Sequence, residues 1–245
     1  METDVVTFSK FKVTSALTDM ESRIRPGAFV GLLIESAIQS SDKLGFGFDN
    51  LKIHNLFWVF SRLSVNIFKP IKWNDVVEIE TWPKDINGIF YIRDFIVRNN
   101  KSEVLAKASS AWLPIDFKTK RPKRRESFDT DIFVSLKDKY ALESPPEKLS
   151  EITEGERFTV NSTYFDLDFN KHVTSTRYID WMMDTFSVEF HNKNYFKMLT
   201  VNFIKETLSG VKLKILKNNY EKGKYLFEGT NIDSGKCSFR GKITF

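Results

Sequence analysis

The chain has 245 residues, of which 41% are hydrophobic and 28% are charged, as in an ordinary globular protein of one or two domains. No apolar run approaches the ~20 residues of a membrane-spanning helix, and the first residues lack a signal-peptide core. We therefore expect a cytoplasmic protein that does not enter a membrane. The single cysteine, Cys237, excludes an intrachain disulfide, and three well-separated histidines have no metal-ligand spacing. Neither a metal nor a cofactor is predicted.

The formal net charge is +5, and much of it comes from one run, KTKRPKRR at 118–125, in which six of eight residues are cationic. Such a run is typical of a solvated linker. The alternative is a docking patch for an acidic partner, through long-range attraction. No nucleic-acid recognition motif accompanies the charge, so nucleic acid is not an expected partner.

The first half predicts one helix followed by strands. The segment PGAFVGLLIESAIQSS, 26–41, has proline in its first turn and is apolar almost all round, which predicts a buried helix. Apolar and polar residues then alternate in segments separated by turn signals such as Asn87–Gly88. The predicted strands are 57–68, 76–82, 89–98 and 104–115.

The second half predicts the same order after a charged segment with Pro145–Pro146. A helix is predicted over 174–189, and strands over 198–205, 211–217, 224–232 and 236–245. We expect an N-terminal unit at 1–125, a linker at 126–155 and a C-terminal unit at 156–245.

The two halves also resemble each other in sequence. SVNIFKP at 64–70 matches TVNFIKE at 200–206 with an offset of 136. TDMESRIRPGAF at 18–29 lies over LDFNKHVTSTRY at 167–178 with an offset of 149. Each half therefore predicts one buried helix and about four antiparallel strands. The expected fold class is α+β, with an antiparallel sheet wrapped around a central helix, occurring twice.

A polar set precedes the second predicted helix. In extended backbone, Asp168, Asn170 and His172 would share one side at spacings of about 7 Å. Asp, Asn and His are residue types that suit acyl hydrolysis. The amides at the start of the following helix could also hold a developing oxyanion. A strand end that enters a capped helix explains the same spacing without chemistry. The first half carries Asp19, Glu21 and Arg23 at the matching positions, so the polar set is expected to belong to one copy.

The motif DLDFNKHVTSTRYI, which contains this set, resembles that of the acyl-acyl carrier protein thioesterases of plants and bacteria. The resemblance extends to WVFSRLSVNIFKPIKWNDVVEIETW at 58–82, RDF at 93–95, ASSAWLPID at 108–116 and TKRP at 119–122. It implies a tandem hot-dog fold and a catalytic set of Asp168, Asn170, His172 and Glu206. Three positions depart from the plant pattern: Thr207 stands in place of a cysteine, and Thr174–Ser175 in place of two asparagines.

The family likeness implies hydrolysis of fatty acyl-acyl carrier protein, which releases a free fatty acid and ends chain elongation. Glu206 or Asp168 would activate water, and the N-terminal half would provide the acyl-chain pocket. The acidic carrier protein, with its acyl chain on 4′-phosphopantetheine, is then a partner for the run 118–125, and a homodimer is a further expectation. An acyl-CoA thioesterase and a non-catalytic acyl-binding module stay as alternatives. A hydratase of this fold is less expected, because its histidine follows the aspartate by five residues rather than four.

Overall fold

The computed structural model describes residues 5–123 and 131–245. Two cations of the predicted basic run, Arg124 and Arg125, lie outside the described residues.

The first half begins with a strand, continues through two helices and ends in four long strands. These elements are β1 (Thr7–Lys12), α1 (Pro26–Lys43), α2 (Phe48–Ile53), β2 (Leu56–Ile67), β3 (Val76–Asn87), β4 (Phe90–Asn99) and β5 (Val104–Asp116).

The second half repeats this order after a short linking helix. Its elements are α3 (Asp131–Val134), β6 (Glu156–Asn161), α4 (Ser175–Met183), α5 (Val188–Lys193), β7 (Met198–Phe203), β8 (Lys212–Glu221), β9 (Lys224–Asn231) and β10 (Cys237–Thr244).

All ten strands form one antiparallel sheet in the order β1-β3-β4-β5-β2-β7-β10-β9-β8-β6. The strands β2 and β7 pair at the centre of the sheet. On either side of this pair, equivalent strands of the two halves follow in the same order. Ser64 lies directly opposite Thr200 there, with 3.2 Å between their hydroxyl oxygens. These two residues are equivalent at the offset of 136, so the pseudo-twofold axis passes between them. The predicted α+β class, with a sheet around a helix in each half, is confirmed.

The core lies between the sheet and the two longest helices. One face of α1 buries Phe29, Val30 and Leu33, and α4 buries Ile179 and Met182. The helices also contact each other, so both halves share one continuous apolar core. Apolar burial of this kind stabilises the fold in proportion to the area removed from water.

Several elements differ from the sequence prediction, including the unpredicted helix α2, the longer strand β3, both edge strands and one helix end. The edge strands β1 and β6 were not predicted, because TFSKFK and ERFTVN are short and carry polar residues that face solvent at the sheet edges. The helix predicted over 174–189 ends at Met183. The Thr185 hydroxyl donates to the Met182 carbonyl at 2.7 Å, and Phe186 then turns inward against Phe190.

The chain between the halves lies on the outer face of the sheet. The Ala141 amide donates to the buried Asp94 carboxylate at 2.8 Å, and the Leu149 amide donates to Asn202 Oδ1 at 2.7 Å. Arg240 Nη1 donates a hydrogen bond to the Leu149 carbonyl at 3.2 Å. The described part of the predicted linker is therefore held against the strands of both halves. In the described ranges, no helix is both long and apolar enough to cross a membrane.

A buried carboxylate fixes the start of α4. The Thr163 amide and hydroxyl donate to Asp166 Oδ2 at 2.6 and 2.8 Å, and Arg177 Nε donates to Oδ1 at 2.6 Å. The Thr174 amide donates to the Asp166 carbonyl at 2.8 Å. Burial alone would raise the pKa of Asp166, but the Thr163 donors and Arg177 outweigh it and hold the pKa below its ordinary value.

Replacing Asp166 by Asn should destabilise the fold by about 1–3 kcal/mol at pH 7, because Arg177 loses its buried partner. The folded pKa lies below the unfolded value of about 3.9, so this contribution is complete above pH 4 to 5 and is lost as the pH falls through the folded pKa. Urea unfolding of the parent and Asp166→Asn from pH 7 to pH 3 measures it. Asp138→Asn, at an exposed position, is the control. A difference that does not shrink in acid would contradict the assignment.

Candidate active site

The polar set lies in a tight turn between β6 and α4. The Asp168 amide donates to the His172 carbonyl at 2.8 Å, and Lys171 has a left-handed φ of 65°. Asp168 Oδ1 accepts the amides of Asn170 at 2.8 Å and His172 at 3.2 Å. An aspartate that accepts backbone amides two and four residues ahead holds a turn in the manner of an Asx turn.

The prediction of extended backbone through this set is therefore wrong. The chain reverses direction between Asp168 and His172, so alternation along a strand does not set the side-chain directions. Asn170 reaches the wall of a large cavity instead. His172 reaches Glu206. The turn thus sends two members of the set to two parts of one site.

The first half contains the same turn. Asp19 Oδ1 accepts the amides of Glu21 and Arg23, both at 2.9 Å, and Ser22 has a φ of 59°. The Asp19 amide donates to the Arg23 carbonyl at 2.7 Å. The contacts of Asp168 are thus common to both halves, and the expectation that the whole set belongs to one copy is corrected. Only asparagine and histidine are peculiar to the second turn.

His172 and Glu206 form a pair at the surface of the site. His172 Nδ1 lies 3.5 Å from Glu206 Oε2, and the two side chains are 34% and 62% exposed. Backbone bonds fix both residues: the Val173 amide donates to the Thr207 carbonyl at 2.8 Å, and His172 forms a bridge to Leu208. A carboxylate and an imidazole in this arrangement can take and return a proton, and solvent reaches them.

The first turn of α4, which follows His172 in the chain, presents free backbone donors. The Thr174 and Val173 amides are occupied, and the Arg177 amide bonds to the Thr174 carbonyl at 3.0 Å. No acceptor in the described part of the chain takes the amides of Ser175 and Thr176. Free amides at a helix start attract negative charge, so they suit a carbonyl oxygen that becomes an oxyanion.

Two buried hydroxyl groups lie behind the site. Thr207, in the position of the family's cysteine, donates its hydroxyl to Ser238 at 3.0 Å and is buried. Its oxygen is therefore directed into the protein rather than at the site. Burial, and secondarily the charges of Glu206 and Asp168, raises the pKa of Tyr178 to about 12. The phenol is protonated at neutral pH.

A cavity of about 300 Å³ adjoins Asn170 and extends into the first half. Its exposed end lies at Phe48 and Phe169, whose rings meet edge to face with centroids 6.2 Å apart. Most of the lining is apolar or aromatic. It includes Ile34, Ala37, Ile38, Phe46, Leu51, Phe57, Trp58, Tyr91, Trp112 and Phe133. A cavity of this size and lining suits a hydrocarbon chain.

The pseudo-equivalent place in the second half holds a smaller and more charged cavity of about 270 Å³. Asp180 lies against the start of α1, where a Cβ on Gly27 would be 2.2 Å from its carboxylate oxygen. The symmetric contact joins Gly31 to Thr176, where the nearest atom is 3.8 Å from a Cβ. A carboxylate thus fills the helix start in one copy, and a glycine leaves the α4 start open in the other.

Some of these residues were not found from the sequence. Gly31 has no local signal, since its role depends on a helix from the other half. Arg93, which also lines the cavity, had a sequence signal. It occupies an inward-facing position of β4, between Tyr91 and Phe95 in the alternation. Within residues 5–123 and 131–245, no three His, Cys, Asp or Glu side chains are arranged to hold a metal ion.

The chain matches two family models. The acyl-ACP thioesterase N-terminal domain matches residues 4–128, and the acyl-ACP thioesterase C-terminal domain matches residues 149–245.

Curated relatives include the chloroplastic oleoyl-acyl carrier protein thioesterase 2 of Arabidopsis thaliana, 27% identical over 80% of this chain and 58% of the relative. The chloroplastic palmitoyl-acyl carrier protein thioesterase of the same plant is 30% identical over 69% of this chain and 43% of its own length. The chain thus spans about half the length of these relatives.

Two solved structures share the fold over nearly the whole chain. An acyl-ACP thioesterase from Bacteroides thetaiotaomicron has a TM-score of 0.90 and 22% identity, covering 99% of this chain and 98% of that one. A 12:0-ACP thioesterase from Umbellularia californica has a TM-score of 0.83 and 20% identity, covering 98% and 93%. The two family models cover both halves, including the turn at Asp168–His172, and on that ground the chain belongs to the acyl-ACP thioesterase family.

Proposed function

We propose that this protein hydrolyses the thioester of fatty acyl-acyl carrier protein and releases a free fatty acid. One observation carries the proposal: Asn170 lines an apolar cavity, and His172, two residues further along the same turn, contacts Glu206 just before the free amides of α4. The cavity would hold the acyl chain, and its thioester would then lie at the polar mouth.

In the proposed reaction, Glu206 takes a proton from water as the water oxygen attacks the thioester carbon. His172 and Asn170 orient the water and the carbonyl group. The amides of Ser175 and Thr176 hold the oxyanion that forms. The carbon–sulfur bond then breaks, and the proton held at the Glu206–His172 pair passes to the departing thiolate. The products are a carboxylic acid and the pantetheine thiol.

We assign Glu206 rather than Asp168 as the base. Asp168 has one oxygen bound to two amides of its own turn, and Asp19 does the same in the first half, where Glu21 and Arg23 replace Asn170 and His172. Glu206 has no comparable structural bonds among the described residues. Asp168 would therefore act by positioning Asn170 and His172.

An acidic carrier protein fits the charge near the cavity. The described cations of the basic run follow β5, and Lys120 Nζ lies 5.3 Å from the ring of Phe57, which lines the cavity. Lys123 is paired only loosely with Asp116, at 3.9 Å. Acyl-CoA is the alternative substrate, because its headgroup is also anionic.

We also propose a division of labour along the chain: residues 1–125 supply most of the acyl cavity, residues 156–245 supply the catalytic groups, and residues 126–155 form the linker. Phe133 of the linker and Asn170 of the second half complete the cavity lining. A homodimer and a cytoplasmic location stay predictions.

Replacing Glu206 by Gln should lower kcat at least ~100-fold, because the amide cannot accept the proton from water. Hydrolysis of acyl carrier protein and CoA thioesters of graded chain length measures it. The exposed Glu143→Gln is the matched control and should keep full turnover. Faster hydrolysis of the carrier-protein thioesters would favour that substrate over CoA. If the parent hydrolyses no thioester but binds fatty acid, the chain is an acyl-binding module.

Replacing Asp168 by Asn should keep turnover within about tenfold, because the amide oxygen still accepts the two backbone bonds. Asp168→Ala should lose ~1–2 kcal/mol of stability together with turnover. Asp19→Ala should lose similar stability and keep turnover. Urea unfolding and steady-state kinetics measure the set. A loss for Asp168→Asn as large as that for Glu206→Gln would make Asp168 the base.

Replacing Gly31 by Asp should lower kcat about 100-fold or more, because a carboxylate would occupy the place left for the oxyanion at the start of α4. Gly31→Ala is the control: its Cβ has room, so the helix should gain up to ~1 kcal/mol and turnover should persist. Kinetics and thermal unfolding measure both. Full turnover in Gly31→Asp would place the oxyanion elsewhere.

A further inference from the structure

A buried cation lies at the inner end of the cavity. Arg93 lines the cavity and is only 5% exposed, in contrast to Phe169 at the mouth, which is 81% exposed. Its neighbour Asp94 points to the opposite face of the sheet and pairs with Lys84 at 3.4 Å. Among the described residues, no carboxylate forms an ion pair with Arg93.

The hydrogen bonds of Arg93 leave part of its guanidinium unused. Nη1 donates to Ser40 Oγ at 2.9 Å and to Thr81 Oγ1 at 3.3 Å. A guanidinium has five N–H donors. The described chain offers no acceptor to Nε or Nη2. Ser40 lies in the last turns of α1, where the helix dipole favours a cation, but a dipole does not satisfy the remaining donors.

Keeping this charge costs the protein stability. Burial lowers the pKa of Arg93 to about 9, so the group is still charged at neutral pH. A buried charge without a counter-ion costs several kcal/mol, and an apolar side chain would have closed the cavity without that cost.

The second half has an aromatic side chain at the position equivalent to Arg93. Tyr225 is the equivalent of Arg93, since Arg93 pairs with Pro83 and Tyr225 with Asn219, and positions 83 and 219 are related by the offset of 136. The Tyr225 ring packs on Phe186 with centroids 4.8 Å apart. The cation is therefore peculiar to the half that has the acyl cavity.

We infer that Arg93 recognises the end of the acyl chain that lies farthest from the thioester. The cavity accepts chains that carry a hydrogen-bond acceptor, a hydroxyl or a carboxylate, at that end. The inference rests on the proposed function, in which the cavity holds the acyl chain. An acceptor that reaches Arg93 satisfies its free donors. A methyl end of the same reach leaves them unpaired, and sites with buried polar groups discriminate strongly against partners that lack the matching group. Arg93 therefore also limits the length of methyl-terminated chains.

The experiment compares thioesters of ω-hydroxy and ω-carboxy acyl chains with methyl-terminated chains of equal heavy-atom number, over a series of lengths. At the length that reaches Arg93, the parent should hydrolyse the acceptor-terminated chain at least ~10-fold faster in kcat/KM. Arg93→Met should abolish this preference and speed hydrolysis of longer methyl-terminated chains. Arg93→Lys should keep a preference. Arg98→Met, which alters a cation of the same strand paired with Glu80, is the control and should match the parent.

No preference in the parent at any length overturns the inference, and this arm needs no variant to fold. A preference that persists in Arg93→Met overturns it as well. Calorimetric binding of free ω-hydroxy and plain fatty acids separates the two proposals. If no thioester is hydrolysed but the acids bind with the expected preference, the proposed hydrolysis fails and the role of Arg93 stands.

Discussion

The pairing of β2 with β7 is the constraint on which the site depends. The two strands are antiparallel and related by the pseudo-twofold axis, with Leu63 opposite Val201 and Val65 opposite Leu199, all buried. This pairing places the Asp168–His172 turn of the second half next to the cavity of the first half. Asn170 therefore lies in the wall of a cavity whose other walls come from α1 and the first-half strands. Neither half contains the site alone.

A duplicated fold provides two equivalent spaces, one beside the long helix of each half. Side-chain packing makes these two spaces different. In the first half of the chain, α1 has 18 residues, and the C-terminal part of this helix lines the cavity. In the second half α4 has nine residues, and the chain after it folds aromatic rings into the corresponding volume. Phe186 and Phe190 stack there with centroids 4.6 Å apart, and Phe245 packs against both. These rings narrow the space in the second half, which keeps a smaller and more charged cavity, while the space in the first half is open and lined by apolar side chains.

The sequence contained the long strands, the buried first helix and the duplication, because hydrophobic periodicity records which face of each element is buried. It did not contain the turn at Asp168–His172. The letters D-L-D-F-N-K-H alternate as a strand does, and the reversal depends on a left-handed lysine, a residue with no preference for that conformation. The alignment of Asp19 with Asp168 was the available signal, since an aspartate kept in both copies indicates a structural role. Glu206 could be placed only by family likeness, because its contact with His172 spans thirty-four residues.

The three acidic groups around the site differ in what remains for them to do. Asp166 is buried, and Thr163 and Arg177 occupy both of its oxygens. Asp168 gives an oxygen to the turn that orients its neighbours. Glu206 is the most exposed of the three, and its carboxylate lies 3.5 Å from His172 Nδ1. Asp166 and Asp168 thus fix the backbone of the turn and the first turn of α4, whereas the carboxylate of Glu206 is exposed beside His172. Under the proposed mechanism, the two supporting acids hold a rigid frame around the pair that exchanges the proton.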